Sequence, residues 1–131
     1  MGYEDDINMM HSKGILEIAG NLSLKLQEFT ATGTPTATVA TGLITFAHTV
    51  TPVLLTIPAP RDSGQLLILR NTSASGVIEH VMTSVSGTTF DGTNDTATFD
   101  APGEQLILMS ISTTQWIILL NSGSVAMSSV A

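Results

Sequence analysis

The sequence predicts an all-β fold: a compact antiparallel β-sandwich or barrel, jelly-roll-like, with a short N-terminal arm. Three observations predict it. Past residue 20 no stretch carries a helical period; short runs alternate apolar and polar residues with period two; and Gly, Pro, Asn and Asp cluster between those runs at close spacing. A chain of 131 residues is long enough for one buried core. The organisation read from it is an N-terminal arm over 1–20 and a single β domain over 21–131, with no tandem repeat or linker.

The elements follow in order. "YEDDINMMHSKGILEIAG" concentrates charge and methionine in the first twenty residues. It reads either as a frayed terminus or as an arm that docks on a partner through Tyr3, Ile7, Met9 and Met10. "LSLKLQEF" sets Leu22, Leu24 and Leu26 on one face and Ser23, Lys25 and Gln27 on the other, the period of a strand. "TGTPTATVATG" (32–42) is dominated by Thr and small residues and suits strand or loop, not helix. Strands are then expected at 53–57, 65–71, 77–85, 88–90, 96–99, 105–111 and 115–121, parted by the turn signals "PAPRDSG", "SASG", "DGTND" and "APG".

Composition narrows the function. Only 11% of residues are charged, against roughly 25% in ordinary soluble domains. With 43% hydrophobic residues, such a chain has little with which to cover its surface, and a surface shared with other subunits resolves that. "WIILL" and "QLLIL" sharpen the point, because neither register gives them a polar side. Strands of this kind are covered twice, once by the core and once by a neighbouring subunit. The net charge is −7, with Lys13, Lys25, Arg61 and Arg70 the only Lys or Arg residues, which speaks against nucleic acid and against anionic membranes as partners. There is no cysteine, hence no thiolate chemistry and no disulfide. "MGYEDDINMM" is acidic where a signal peptide is basic, and Trp116 to Leu120 is too short an apolar run to span a bilayer. The sequons at Asn21, Asn71 and Asn94 read as chance in a chain rich in Ser and Thr.

Catalytic and metal chemistry have weak footholds, and the expectation is a non-enzymatic protein without cofactor or metal. His11, His48 and His80 lack metal-ligand spacing and read as structural. No serine sits in a Gly-x-Ser-x-Gly elbow, and no glycine-rich loop opens a helix. Asp91, Asp95 and Asp100 could pair as glycosidase carboxylates, but one Trp and one Tyr leave no aromatic platform for a sugar. Asp91, Asn94 and Asp95 offer oxygens to calcium, yet the spacing is not that of a calcium loop and the cation wants six to eight ligands. Turn chemistry accounts for these residues better: Asp91-Gly92 as a hairpin pair, Asn94-Asp95 as a pair that tolerates left-handed geometry, and Asp100 with Pro102-Gly103 opening a second turn. Trp116 enters the last long apolar strand as the core anchor.

The order of these motifs resembles a module of bacteriophage virion proteins. The matching elements are Val53 through Pro58, Gly64 through Asn71, Val77 through Val85, Phe90-Asp91-Gly92, Thr96 through Phe99, Leu106 through Ile111, and Trp116 through Asn121. They cover about residues 50 to 121. Proteins with this module look like trimeric β-structured parts of the particle: capsid decoration (cement) proteins, head fibres and segments of tail fibres. The resemblance implies a homotrimer on the outer capsid surface of a virion, with a major capsid protein of a phage as partner. This chain lacks a collagen-like or coiled-coil stalk, which favours decoration over a fibre. The rival reading is a receptor-binding or tail-fibre-type adhesion module.

Overall fold

The computed structural model of the chain describes residues 24–30, 37, 42–47, 52–74 and 79–130. Among them are nine strands and no helix: β1 (Leu26–Phe29), β2 (Gly42–Phe46), β3 (Leu54–Ile57), β4 (Leu66–Asn71), β5 (His80–Ser84), β6 (Thr96–Phe99), β7 (Gln105–Ser110), β8 (Trp116–Ser122) and β9 (Ala126–Ser128). They form two sheets, a five-stranded one in the order β1-β2-β4-β7-β8 and a four-stranded one in the order β3-β5-β6-β9. The expected arm, with Tyr3, Ile7, Met9 and Met10, lies outside the described residues.

The all-β expectation is met, but the sheets are mixed rather than antiparallel. β1 pairs with β2, β2 with β4, and β3 with β5, all in parallel. For the last two pairs the cause is the way the chain winds. From β2 to β5 each connection crosses from one sheet to the other, so a strand comes to lie beside the strand two earlier and runs the same way. The later half is different. β5–β6 and β7–β8 are antiparallel neighbours within one sheet, and β7 also lies antiparallel beside β4.

Period two sorts each strand between core and exterior. Leu67, Leu69, Leu106, Leu108, Ile44, Phe46 and Trp116 are buried from the larger sheet, and Leu55, Ile57, Met82, Ala97 and Phe99 from the smaller one. Phe46 meets Phe99 edge-on with ring centroids 4.8 Å apart, joining the two layers. Trp116, Phe90 and the other large side chains of this core are fully buried. At about 25 cal/mol per Å² of apolar area this burial is the main stabilising term.

Two strands were not expected. β2, "GLITF", lies just after the Thr-rich stretch, and β9 is three residues long. Conversely, the run expected at 88–90 contributes only a bridge from Thr89 to Gln115. Asn94 and Asp95 do not use left-handed geometry either, because among the described residues positive φ occurs at glycines and at Ser124 alone.

Candidate assembly surface

Three constellations compete as functional sites, and the acidic loop between β5 and β6 is the first. Asp91 Oδ1 accepts the backbone N–H groups of Thr93 and Asn94 at 2.9 and 2.7 Å, and its Oδ2 accepts the Asn94 side-chain amide at 2.8 Å. Partial burial pushes this carboxyl up, but the Asn94 and Thr93 donors outweigh it and hold it below the usual range. Asp95 is also held low, chiefly by the backbone N–H of Val130 and then by the Thr96 hydroxyl. Both acids are therefore engaged by nearby backbone N–H groups and by a neighbouring polar side chain, Asn94 for Asp91 and Thr96 for Asp95. Among the described residues no cluster of three or more His, Asp or Glu is placed to hold a metal. Asp100 gives its backbone N–H, not its carboxylate, to the next turn, where Glu104 accepts it at 2.7 Å.

The second constellation is buried and polar. Ser73 Oγ lies 3.0 Å from Nε2 of the fully buried His80, a distance that would suit a nucleophile and its base. The ring's other nitrogen decides against that role. Nδ1 accepts the backbone N–H of Val53 at 3.0 Å, so the neutral ring carries its proton on Nε2 and donates it to Ser73. A ring in that tautomer cannot take a proton from the serine. Ser73 N–H continues the chain to Asn71 Oδ1, and Asn71 Nδ2 continues it to Ala101 O. This network ties the start of β3, the β4–β5 connection and the β6–β7 turn together at one end of the sandwich.

The third constellation is the outer face of the five-stranded sheet. The strand registers align Leu26 with Leu43, Leu43 with Ile68, Ile68 with Ile107, and Ile107 with Leu120. One aliphatic row thus crosses all five strands. Its ends are open, Leu26 at 49% and Leu120 at 46% exposed, and its middle is half-buried. A shorter row beside it runs Leu66, Met109 and Ile117. On the other side the row Glu28, Thr45, Arg70, Gln105 and Ser122 is polar, with Arg70 donating to Gln105 Oε1 at 3.1 Å. A register shift between Ile107 and Leu108 leaves Leu119 as an extra, half-exposed residue of β8.

The outer face of the four-stranded sheet differs in kind. Its rows are Leu54, Val81, Thr98 and Ala126, and Thr56, Thr83, Thr96 and Ser128. Hydroxyls and small side chains dominate there. The sandwich is therefore two-faced, aliphatic on one side and threonine-rich on the other.

Sequence reading found this surface in part. It marked the runs in β4 and β8 as apolar on both faces, while the row itself needs the register of five strands, including the unexpected β2. The Leu22/Leu24/Leu26 side of the first strand is the outer side at Leu26, whereas Phe29 packs against the core. The bonding of Asn71 to Ala101 and of Ser73 to His80 gave no signal, since those partners come from other elements, and the local carboxylate bonds of Glu104 to Asp100 and Ala101 were missed. Trp116 is wholly buried and heads β8. The chain matches no known family model, and no curated protein is similar to it in sequence.

Proposed function

We propose that this protein is a structural virion component: a homotrimeric decoration, or cement, protein that binds the outside of a phage capsid across neighbouring capsid subunits. The observation that carries this reading is the aliphatic row running unbroken over five strands on the outer face of a small sandwich. A face of that width and chemistry is built to be covered, since exposed apolar patches beyond a few hundred Å² mark interaction sites. The order of strand motifs, with its resemblance to phage particle modules, supports the threefold number and the capsid as partner. Asp91, Asp95 and Glu104 are engaged in turns and the Ser73–His80 pair in core bonding, which fits a scaffold rather than a reaction centre.

The mechanism is apolar burial together with contacts from the N-terminal arm, through Tyr3, Ile7, Met9 and Met10, at seams between capsid subunits. Because the seam exists only in the assembled lattice, binding stabilises the shell by mass action without holding free subunits. Co-sedimentation tests this directly. The protein is mixed with assembled shells of the capsid protein encoded in the same genome, and separately with that capsid protein as free subunits. Sedimentation with shells at a fixed stoichiometry and no complex with free subunits is expected. Absence from the shell pellet sinks the proposal.

A further inference from the structure

We propose that copies of this chain meet one another through the outer face of the five-stranded sheet, with the threonine-rich face of the other sheet left to the exterior. This rests on the assembly reading above and names its surface. Three observations lead to it.

The first is chemical contrast. The row centred on Ile68 is aliphatic from edge to edge, while the corresponding outer rows of the four-stranded sheet carry threonine and serine. The four-stranded sheet exposes Leu54 and Val81 at one edge but has no aliphatic row across all its strands, so the five-stranded face has the stronger reason to leave water.

The second is size. Five strands spaced about 4.8 Å apart, over five residues of about 3.3 Å each, cover roughly 400 Å² in projection. Three such faces turned toward one another around a threefold axis remove up to roughly 1,200 Å² in projection. A specific interface needs approximately 1,000 Å².

The third is charge. The chain carries −7 overall, so copies repel one another at long range. Within the five strands the only charged side chains are Glu28 and Arg70, one acid and one base in the same polar row, two strands apart. This face is neutral and self-complementary: an acid on one copy can lie against the base on the next. A lipid surface or a strongly charged partner would not call for that balance.

Light scattering coupled to size exclusion of the full chain tests the assignment, with far-UV circular dichroism as the check of folding. The wild type should elute as a multiple of the 13.7 kDa chain. Ile68→Lys, at the centre of the aliphatic row, should be folded and have the mass of one chain, whereas Val81→Lys, at the centre of the other outer face, should keep the wild-type mass. A milder pair guards against misfolding of the lysine variant. Glu28→Arg should raise the concentration of half-dissociation at least tenfold, and adding Arg70→Glu should restore it. An oligomer dissociated by Val81→Lys but not by Ile68→Lys overturns the surface and leaves self-assembly standing. A wild type that is monomeric at micromolar concentration overturns both.

Discussion

Val53 donates its backbone N–H to Nδ1 of His80 at 3.0 Å, joining the residue that leads into β3 to the first residue of its parallel neighbour β5. His80 is fully buried, and its ring also stands edge-on to Phe46 at 5.5 Å. A buried donor left without an acceptor costs about 1–3 kcal/mol. His80→Phe keeps a ring against Phe46 but strips the acceptor from Val53, so stability should fall by that amount or more. His80→Asn can present Oδ1 near the place of Nδ1. Hydrogen exchange at the Val53 amide checks the cause: it should speed up markedly in His80→Phe and less in His80→Asn. Equal protection in both variants would show that the imidazole acceptor is not what secures this amide.

Trp116 carries a second buried donor, and this one has no partner at all: its indole N–H is the one buried side-chain polar atom without a hydrogen bond among the described residues. The ring is kept for volume, at the expense of that N–H. Truncation to Ala should therefore cost about 3–5 kcal/mol, the range for emptying a core of a large aromatic. Trp116→Phe should cost much less, because the smaller ring takes the unsatisfied N–H away with it. Urea unfolding followed by circular dichroism distinguishes the two. If Trp116→Phe is as damaging as Trp116→Ala, the indole N–H is not the liability that burial implies.

How far this fold could be read from sequence depends on what period two encodes. It tells which residues share a face, so the strands over 53–57, 65–71, 96–99 and 105–111 correspond closely to β3, β4, β6 and β7. It says nothing of which strand lies alongside. Parallel pairing of β2 with β4 follows from connections that cross the sandwich, and no local residue marks that crossing. "GLITF" escaped notice because it emerges from a Thr-rich stretch, and "AMS" because three residues cannot display a period. The same limit applies to the site. Ile68 and Leu120 each read as an apolar residue in a strand without a polar side, but that they form one row with Leu26, Leu43 and Ile107 is a property of the registers. The bonding of His80 was illegible for a like reason: Val53 and Ser73 reach it from elements 27 and 7 residues away.

Acid should weaken the fold through the two loop carboxylates. Asp91 and Asp95 both have folded-state pKa values lowered by hydrogen bonds to the ionised form. Protons thus bind the unfolded chain more readily. The contribution of each group is fully present above the unfolded value of about 3.9 and is lost as pH falls through the lower folded value. Asp91→Asn and Asp95→Asn should each flatten the decline in melting temperature below about pH 4, and Asp95→Asn should loosen the tail held at Val130. A decline as steep in both variants as in the wild type would assign the acid sensitivity to other groups.

Gly123 packs closely against Glu104, and two glycine substitutions can separate crowding from conformation. Gly123 turns the chain from β8 to β9 at φ +92°, and a Cβ added there would lie 2.8 Å from Glu104 Cγ and 3.3 Å from Glu104 Cα. Glu104 cannot easily withdraw. It is buried, and its carboxylate accepts the backbone N–H groups of Asp100 and Ala101 at 2.7 and 3.0 Å. Gly87 has a similar φ of +83°, yet nothing lies within 4 Å of its virtual Cβ. Gly87→Ala therefore measures the left-handed penalty alone, about 1–2 kcal/mol. Gly123→Ala should lose clearly more, because either the β8–β9 turn or the Glu104 side chain has to move. Adding Glu104→Ala relieves the clash but abandons two backbone donors, so the double variant should not recover the wild-type melting temperature. Equal losses for Gly87→Ala and Gly123→Ala in calorimetry would mean that Glu104 yields freely, and that the turn over 100–104 is not held by its carboxylate.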